Sequence, residues 1–246
     1  MVDSTPVAAV TGAASGIGAA TALALAREGY RVACLDLDTE GALRTAREAG
    51  SSHIAVGLDC CDESAVIAAF DRIVTELGRI DALATCAGIV DTTPFMEASV
   101  ASFRRVYDVN VVGTFLCIRE AARRMQQGGR ICTVASVAGL LGGGLSGTAA
   151  YAASKGAVLA LTRNAARALA TAGIRVNCVA PGPTLTPMVA GSFADAAHRE
   201  RIERMIPLER SGEAGEIAEG IVWLLSPRAS YVHGETLVID GGLVMH

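Results

Sequence analysis

Short, β-branched apolar runs alternate along this chain with longer segments whose apolar positions recur at helical spacing, the pattern of parallel strands joined by crossover helices. The runs Val7–Val10, Val32–Leu35, Ile54–Leu58, Ala82–Thr85, Arg130–Val134, Arg175–Val179 and Thr236–Ile239 read as strands. Seven such strands fit one α/β doubly wound parallel sheet with helices on both faces. Helical segments fall near Ile17–Glu28, Thr39–Glu48, Glu63–Leu77, Ser99–Met125, Tyr151–Ala170 and Glu213–Leu225. Gly29 and Gly78 are placed to end two of them, and Asp62 and Ser99 can supply N-cap oxygens. The stretch Pro187–Arg210 is helical from Asp195 to Met205 but is bounded by Pro187 and Pro207, so it is expected to leave the sheet as an excursion. There is no repeat and no low-complexity tract.

Composition narrows the class. No Pro/Ser-rich or charge-run linker divides the 246 residues, so one domain over 1–246 is expected. A net charge of −4 argues against nucleic acid and against an anionic membrane surface as partners. The longest uncharged stretch, Ile131 to Ser154, contains Gly139, Gly142, Gly143, Gly144 and Gly147, which would not hold a spanning helix together. Met1–Pro6 has neither the basic nor the apolar part of a secretory signal, and a cytoplasmic location is expected. Of seven cysteines, Cys34, Cys132 and Cys178 lie in apolar strand runs as small hydrophobes, and the adjacent Cys60-Cys61 reads as two unconnected side chains. With no CxxC and four scattered histidines (53, 198, 233, 246), no metal is expected.

Two constellations carry chemistry. The first strand runs into Thr11-Gly12-Ala13-Ala14-Ser15-Gly16-Ile17-Gly18 and then an Ala-rich helix. Such a turn lets backbone N–H groups and a helix N-terminus approach a pyrophosphate without Cβ obstruction. The second strand ends at Asp36, placed for the adenosine ribose of a dinucleotide. No Arg or Lys lies between Thr11 and Thr21 or at position 37, so a 2′-phosphate would face that carboxylate unbalanced, and NAD is expected over NADP. The second constellation is Tyr151 and Lys155, four apart at the start of a helix and therefore on one face. Of 21 basic side chains Lys155 is the only lysine. An amine kept where every other cation is arginine points to a position a guanidinium cannot fill. A tyrosine becomes a useful proton shuttle when a nearby ammonium stabilises its phenolate.

Together the turn Thr11–Gly18, Asp36, Asn110, Ser136, the Tyr151/Lys155 pair and Pro181-Gly182 resemble the short-chain dehydrogenase/reductase family, in its shorter single-domain branch, over essentially the whole chain. The resemblance implies a Rossmann-type fold, a nicotinamide cofactor and hydride transfer to or from a carbonyl carbon. It implies Tyr151 as general acid/base, Lys155 on the nicotinamide ribose and lowering the tyrosine pKa, Ser136 on the substrate oxygen, and Asn110 holding a proton-relay water. Cofactor contacts would come from Gly12, Ser15, Gly16, Ile17, Gly18, Asp36, Asp59 at the adenine, Ala87, Gly88, Pro181, Gly182, Thr184 and Thr186. It also suggests a homotetramer. Two departures stand out. Thr85-Cys86 replaces two asparagines that usually brace the fourth strand. Ser136 lies farther from Tyr151 than usual, where the family's ordinary spacing would fall on Ala138, implying a two-residue insertion in the loop Leu140–Ala150.

The expected activity is an NAD-dependent alcohol dehydrogenase or ketone reductase. The alternatives are an NADPH-type 3-oxoacyl reductase-like enzyme, a lyase or epimerase on the same scaffold, or a non-catalytic NAD-binding module. The segments Ile89–Met96, Leu140–Ala150 and Pro187–Leu208 should bound the substrate pocket. They offer Val90, Phe95, Leu140, Leu141, Leu145, Met188, Val189, Phe193, Met205 and Ile206, which favour an apolar or cyclic substrate. Arg199, Arg201, Arg204 and Arg210, interleaved with acids, read as a self-paired face.

Overall fold

The computed structural model describes residues 5–143 and 148–245; readings that rest on Met1–Ser4, Gly144, Leu145, Gly147 and His246 lie outside the described residues. The seven strands are β1 (Val7–Thr11), β2 (Arg31–Asp36), β3 (Ile54–Gly57), β4 (Ala82–Thr85), β5 (Arg130–Val134), β6 (Arg175–Pro181) and, last in the chain, β9 (Thr236–Ile239). They form one sheet in the order β3-β2-β1-β4-β5-β6-β9, every pairing parallel. Two further two-residue strands, β7 (Thr184–Leu185) and β8 (Gly212–Glu213), pair with each other. The sequence shows no sign of them.

Both faces of the sheet are covered. Helices α1 (Gly16–Arg27), α2 (Thr39–Ala49) and α10 (Ala214–Leu225) pack on one face, with Ala8, Val10, Val32 and Cys34 turned toward them. Helices α3 (Glu63–Leu77), α5 (Thr114–Arg124) and α7 (Ala149–Leu169) pack on the other, against Val7, Ala9, Ala33 and Leu35. Successive strand residues point to opposite faces, and in β2, β1, β4, β5 and β6 both faces are dry, the edge strands β3 and β9 being half-buried. That is why the strands appear in the sequence as continuous apolar runs rather than as alternations. The caps fall where the sequence puts them. Asp62 accepts from the amides of Ser64 and Ala65, Ser99 accepts from Ser102, and Gly78 closes α3 in the left-handed region.

The expected helix Ser99–Met125 is broken into α4 (Val100–Tyr107), a π-helical segment at Asp108–Gly113, and α5. A Cβ at Gly113 would lie 2.7 Å from the Cys60 sulfur, so the widened turn passes against the loop after β3 with nothing to spare. A short α6 (Ala138–Leu141) runs into the start of the expected loop Leu140–Ala150, and it lies so close to α7 that a Cβ at Gly139 would meet the Gly156 amide at 2.6 Å. The excursion carries α8 (Pro187–Phe193) and α9 (Ala196–Glu203), and the β7–β8 ladder ties its beginning to its end. Among the described residues no helix is long and apolar enough to cross a membrane.

Candidate active site

The strand order reverses between β1 and β4, and the loops leaving the carboxyl ends of the parallel strands open there into a cleft. Gly12 and Gly16 take φ of +68° and +54°, and a Cβ on Gly12 would sit 2.7 Å from the Ala87 nitrogen. A Cβ on Gly18 would overlap the Gly12 carbonyl oxygen. The turn therefore packs backbone against backbone and leaves the first amides of α1 facing the cleft, where the N-cap residue Ser15 offers them no side-chain bond. Asp36 braces the turn: one carboxylate oxygen accepts from the Ala14 amide and the other from Asp38, each at 2.9 Å.

This end of the cleft is a cavity of about 350 Å³ lined by Asp36, Leu37, Leu58, Asp59, Cys60, Ile89, Arg105 and Val109 as well as by the glycine turn. Arg105 is a residue that the sequence reading missed. It stands on α4, remote in sequence from the glycine turn, and its only sequence signal is its helical spacing from Val109. Asp59 lies two residues beyond β3, and its carboxylate accepts from the Cys61 amide at 2.9 Å.

The departure at Thr85-Cys86 has a structural counterpart. The Ala87 amide donates to the Thr11 hydroxyl at 3.2 Å and the Cys86 amide to the Thr11 carbonyl at 3.2 Å, so β1 supplies the brace. The Thr85 hydroxyl is buried with no hydrogen-bond partner, and burial pushes the Cys86 thiol up to about 12. Ile17, Cys86, Gly88, Thr186 and Met188 line both this cavity and a second one, making them two halves of one cleft.

The second cavity, about 550 Å³, holds Ser136, Tyr151, Lys155, Gly88, Pro181, Gly182, Thr184 and Thr186 in its wall. Burial raises the Tyr151 phenol above its ordinary pKa, while a hydrogen bond with Ser136 draws it partly back. The Ser136 hydroxyl oxygen also accepts from the Ala138 amide at 3.1 Å, which fixes it at the head of α6. Lys155 is 5% exposed, and its Nζ donates to the Val134 carbonyl at 2.8 Å while lying 5.7 Å from the Tyr151 ring centre. Burial lowers its pKa from 10.5 to about 8. The lysine is thus held beside the phenol, but in this arrangement its ammonium is spent on a backbone carbonyl, and burial dominates the phenol's acidity.

Asn110 lies behind the cavity wall. It sits in the π-helical segment, fully buried, where its Oδ1 accepts from the Ile89 amide at 2.8 Å. Its Nδ2 donates to the Ile89 carbonyl at 3.0 Å and to the Ser154 hydroxyl at 2.9 Å. Asn110 thereby fastens the loop after β4 to α7, with both amide donors committed.

The apolar wall is made only in part by the residues expected there, Ile17, Val134 and Val137 also lining it. Val90, Leu141, Met188 and Val189 line the cavity. Phe95, Leu140 and Met205 are exposed instead, Ile206 is buried under the chain end at Gly241, and Phe193 is not in the wall. The arginines of the excursion are paired among themselves: Arg199 with Glu203 at 2.9 Å, Arg204 with Glu200 at 2.5 Å, Arg210 with Glu216 at 2.6 Å, and Arg201 against His198 at 2.9 Å. None of them lines the cavity.

This cleft, strand order and Tyr/Lys pair define a dinucleotide-dependent oxidoreductase of the short-chain type, and the comparisons agree. A family model described as enoyl-(acyl carrier protein) reductase, adh_short_C2, matches residues 12–244. The chain is 43% identical to a cis-4-hydroxycyclohexanecarboxylate dehydrogenase of Sinomonas cyclohexanicum over 96% of its own length and 95% of the relative's. It is 38% identical to a sorbitol dehydrogenase of Cereibacter sphaeroides, covering 96% of both. Among solved structures, a short-chain dehydrogenase/reductase of Brucella melitensis described as a glucose/ribitol dehydrogenase superposes with a TM-score of 0.92 at 34% identity, over 98% of this chain and 97% of that one. The chain belongs to the short-chain dehydrogenase/reductase family. It is an oxidoreductase of the alcohol dehydrogenase and ketone reductase kind, served by a nicotinamide dinucleotide.

Proposed function

We propose that this protein is an NAD(H)-dependent dehydrogenase that interconverts an uncharged, mainly apolar or cyclic secondary alcohol and its ketone. The observation that carries this reading is that Ser136, Tyr151 and Lys155 meet in the wall of the 550 Å³ cavity, with the Lys155 Nζ 5.7 Å from the Tyr151 ring centre and the glycine-turn cavity opening into it. The residues present fit a dinucleotide. The turn is a cradle that a Cβ at Gly12 or Gly18 would fill, and the wall carries backbone and glycine at Ala87, Gly88 and Gly182.

In this reading Gly12, Ser15, Gly16, Ile17 and Gly18 hold the pyrophosphate, Asp36 the adenosine ribose and Asp59 the adenine edge. Ala87, Gly88, Pro181, Gly182, Thr184 and Thr186 hold the nicotinamide half. When bound, the cofactor supplies or accepts a hydride. Ser136 donates to the substrate oxygen and sets its distance from the phenol, and Tyr151 gives or takes the proton at that oxygen. A proton and a hydride can reach neighbouring atoms only if both donors are held near one carbon. Lys155 holds the nicotinamide ribose and, by leaving the Val134 carbonyl for the ribose and phenol, stabilises the phenolate. Asn110 is a positioning residue, acting through Gly88–Ile89 and Ser154.

Asp36 supports NAD: both its oxygens are fixed by backbone amides, so it cannot swing away from a 2′-phosphate. Arg105 lines the same cavity, the only arginine or lysine to do so among the described residues, and favours NADP. The choice of an uncharged substrate rests on the wall, where Lys155 is the only charged side chain among the described residues; residues 144–147, outside them, are Gly-Leu-Ser-Gly. We further propose that the chain works as one catalytic domain, with residues 187–210 covering the substrate. The working form would be a cytoplasmic homotetramer that buries the small-residue face of α7 and the exposed Met245 end. Reduction of NAD with a panel of cyclic secondary alcohols tests the central claim. Turnover is expected with neutral rings and is lost in Tyr151→Phe; activity confined to carboxylate-bearing alcohols, or to NADP, would overturn it.

A further inference from the structure

Outside the catalytic constellation, the turn that follows β3 collects an unusual set of donors. The Asp62 amide bonds to the Asp59 carbonyl at 3.2 Å and the Cys61 amide to the Asp59 carboxylate at 2.9 Å, closing a tight turn over residues 59–62. In an extended strand two consecutive side chains would point to opposite faces. In this turn they converge. One carboxylate oxygen of Asp59 and the sulfurs of Cys60 and Cys61 all lie within 4.8 Å of one another. The site is anchored on its other side as well, because the Cys60 sulfur packs 3.9 Å from the Val109 carbonyl, in the π-helical segment.

Two chemistries are open to adjacent thiols. A disulfide is disfavoured, since consecutive Cα atoms stand about 3.8 Å apart whereas disulfides usually span about 4.4–6.8 Å. A tetrahedral soft cation asks for less: bonds of about 2.3 Å to each thiolate put the two sulfurs about 3.8 Å apart, within a small contraction of the distances here. The carboxylates of Asp59 and Asp36 both act on Cys60, so the local field welcomes a cation. Asp59 and Cys60 also form part of the wall of the 350 Å³ cavity.

We infer that Asp59, Cys60 and Cys61 form a site for a thiophilic divalent cation such as Zn²⁺ or Cd²⁺, and that its occupancy and binding of the dinucleotide's adenosine end exclude each other. Binding breaks two S–H bonds and forms two sulfur–metal bonds, the two protons passing to the buffer; no electrons move. Asp59 supplies the third ligand and water the fourth. The competition rests on the reading of that cavity as the adenosine site; the cation binding does not.

The test titrates the metal-free, reduced protein with Cd²⁺ and follows the ultraviolet thiolate-to-cadmium absorbance together with proton release. Four of the other cysteines are buried in the core, so the background is low. One cadmium per chain with about two protons released is expected, weakened at least tenfold in Cys61→Ser, whose side chain lines neither cavity and whose basal turnover should persist. Should Cys61→Ser not fold, as judged by circular dichroism, Cys60→Ser is expected to show the same loss. Saturating NADH should weaken cadmium binding at least tenfold. Equal affinity in the serine variants would overturn the site. Unchanged affinity in the presence of NADH would overturn the exclusion while leaving the site standing, and a protein that binds cadmium at this turn but not NADH would instead refute the reading of the cavity.

Discussion

The two halves of the cleft are built by different means. At the glycine-turn end, positions are fixed by contacts to main chain: the glycine turn against the loop after β4, Asp36 bonded to two amides, the Thr11 hydroxyl bracing the Ala87 amide. At the Tyr151 end they are fixed by side chains standing on α6, α7 and α8, with Lys155 buried at a cost and a largely apolar wall. A wall of backbone suits a ligand whose shape never varies, whereas a wall of side chains can be changed one residue at a time. The contrast implies that substitutions in the first half should cost stability and cofactor binding together, and that those in the second should change catalysis or selectivity and leave the fold alone.

The sharpest break is at the turn. Gly18→Ala places a methyl group into the Gly12 carbonyl, and neither is free to move. Thermal unfolding is expected to show a loss of about 4 kcal/mol, with cofactor binding lost in parallel. Lys155 should behave in the opposite way. Lys155→Arg should cost at least roughly 100-fold in kcat/KM, about 2.7 kcal/mol, because the planar guanidinium cannot occupy the lysine's place beside Val134 and Tyr151. Lys155→Met should abolish turnover yet stabilise the protein. The folded-state pKa of about 8 lies below the ordinary 10.5, so the burial penalty is fully present below pH 8 and is relieved as pH rises toward 10.5. At pH 7 the gain is expected to be up to about 3 kcal/mol. A rise in stability between pH 8 and 10.5 should be seen in the wild type and be missing from the methionine variant.

Smaller effects sharpen the comparison. Asp36→Ala should shift the ratio of kcat/KM for NAD over NADP by at least about tenfold toward NADP, roughly 1.4 kcal/mol, and lower the melting temperature because two amides lose their acceptor. Arg105→Ala in that background should then take the NADP gain back, which would show whether the missed arginine is the balancing charge. Met188→Ala, on the substrate side, should change the order of preference within a panel of cyclic alcohols by a few-fold, with melting unchanged.

What the sequence disclosed follows the same division. The glycine turn, Asp36 and the Tyr151/Lys155 pair lie in contiguous stretches in which strand, turn and helix periods are local, so spacing alone exposes them. The sheet was legible because burial on both faces writes its strands as unbroken apolar runs. The π-helical segment that places Asn110 leaves no comparable mark; its close packing at Gly113 is against Cys60, a residue far away in sequence. The β7–β8 ladder depends on two chain ends meeting across the excursion, and two residues in each strand carry no period. The pocket wall was over-counted for a related reason: Phe95 and Ile206 are apolar in the right segments, but only packing decides that one turns to solvent and the other to the core.

The solitary lysine has one more consequence, for spectroscopy. Lys155 is the sole lysine, so reductive methylation with a carbon-13 reagent would leave only two kinds of labelled nitrogen, an amino terminus and the Lys155 amine. Burial makes that amine slow to react, while a pKa near 8 gives it a substantial neutral, nucleophilic fraction at mildly alkaline pH. One methyl resonance would then follow proton occupancy at the heart of the site, without the crowding that a lysine-rich surface imposes on most enzymes of this size.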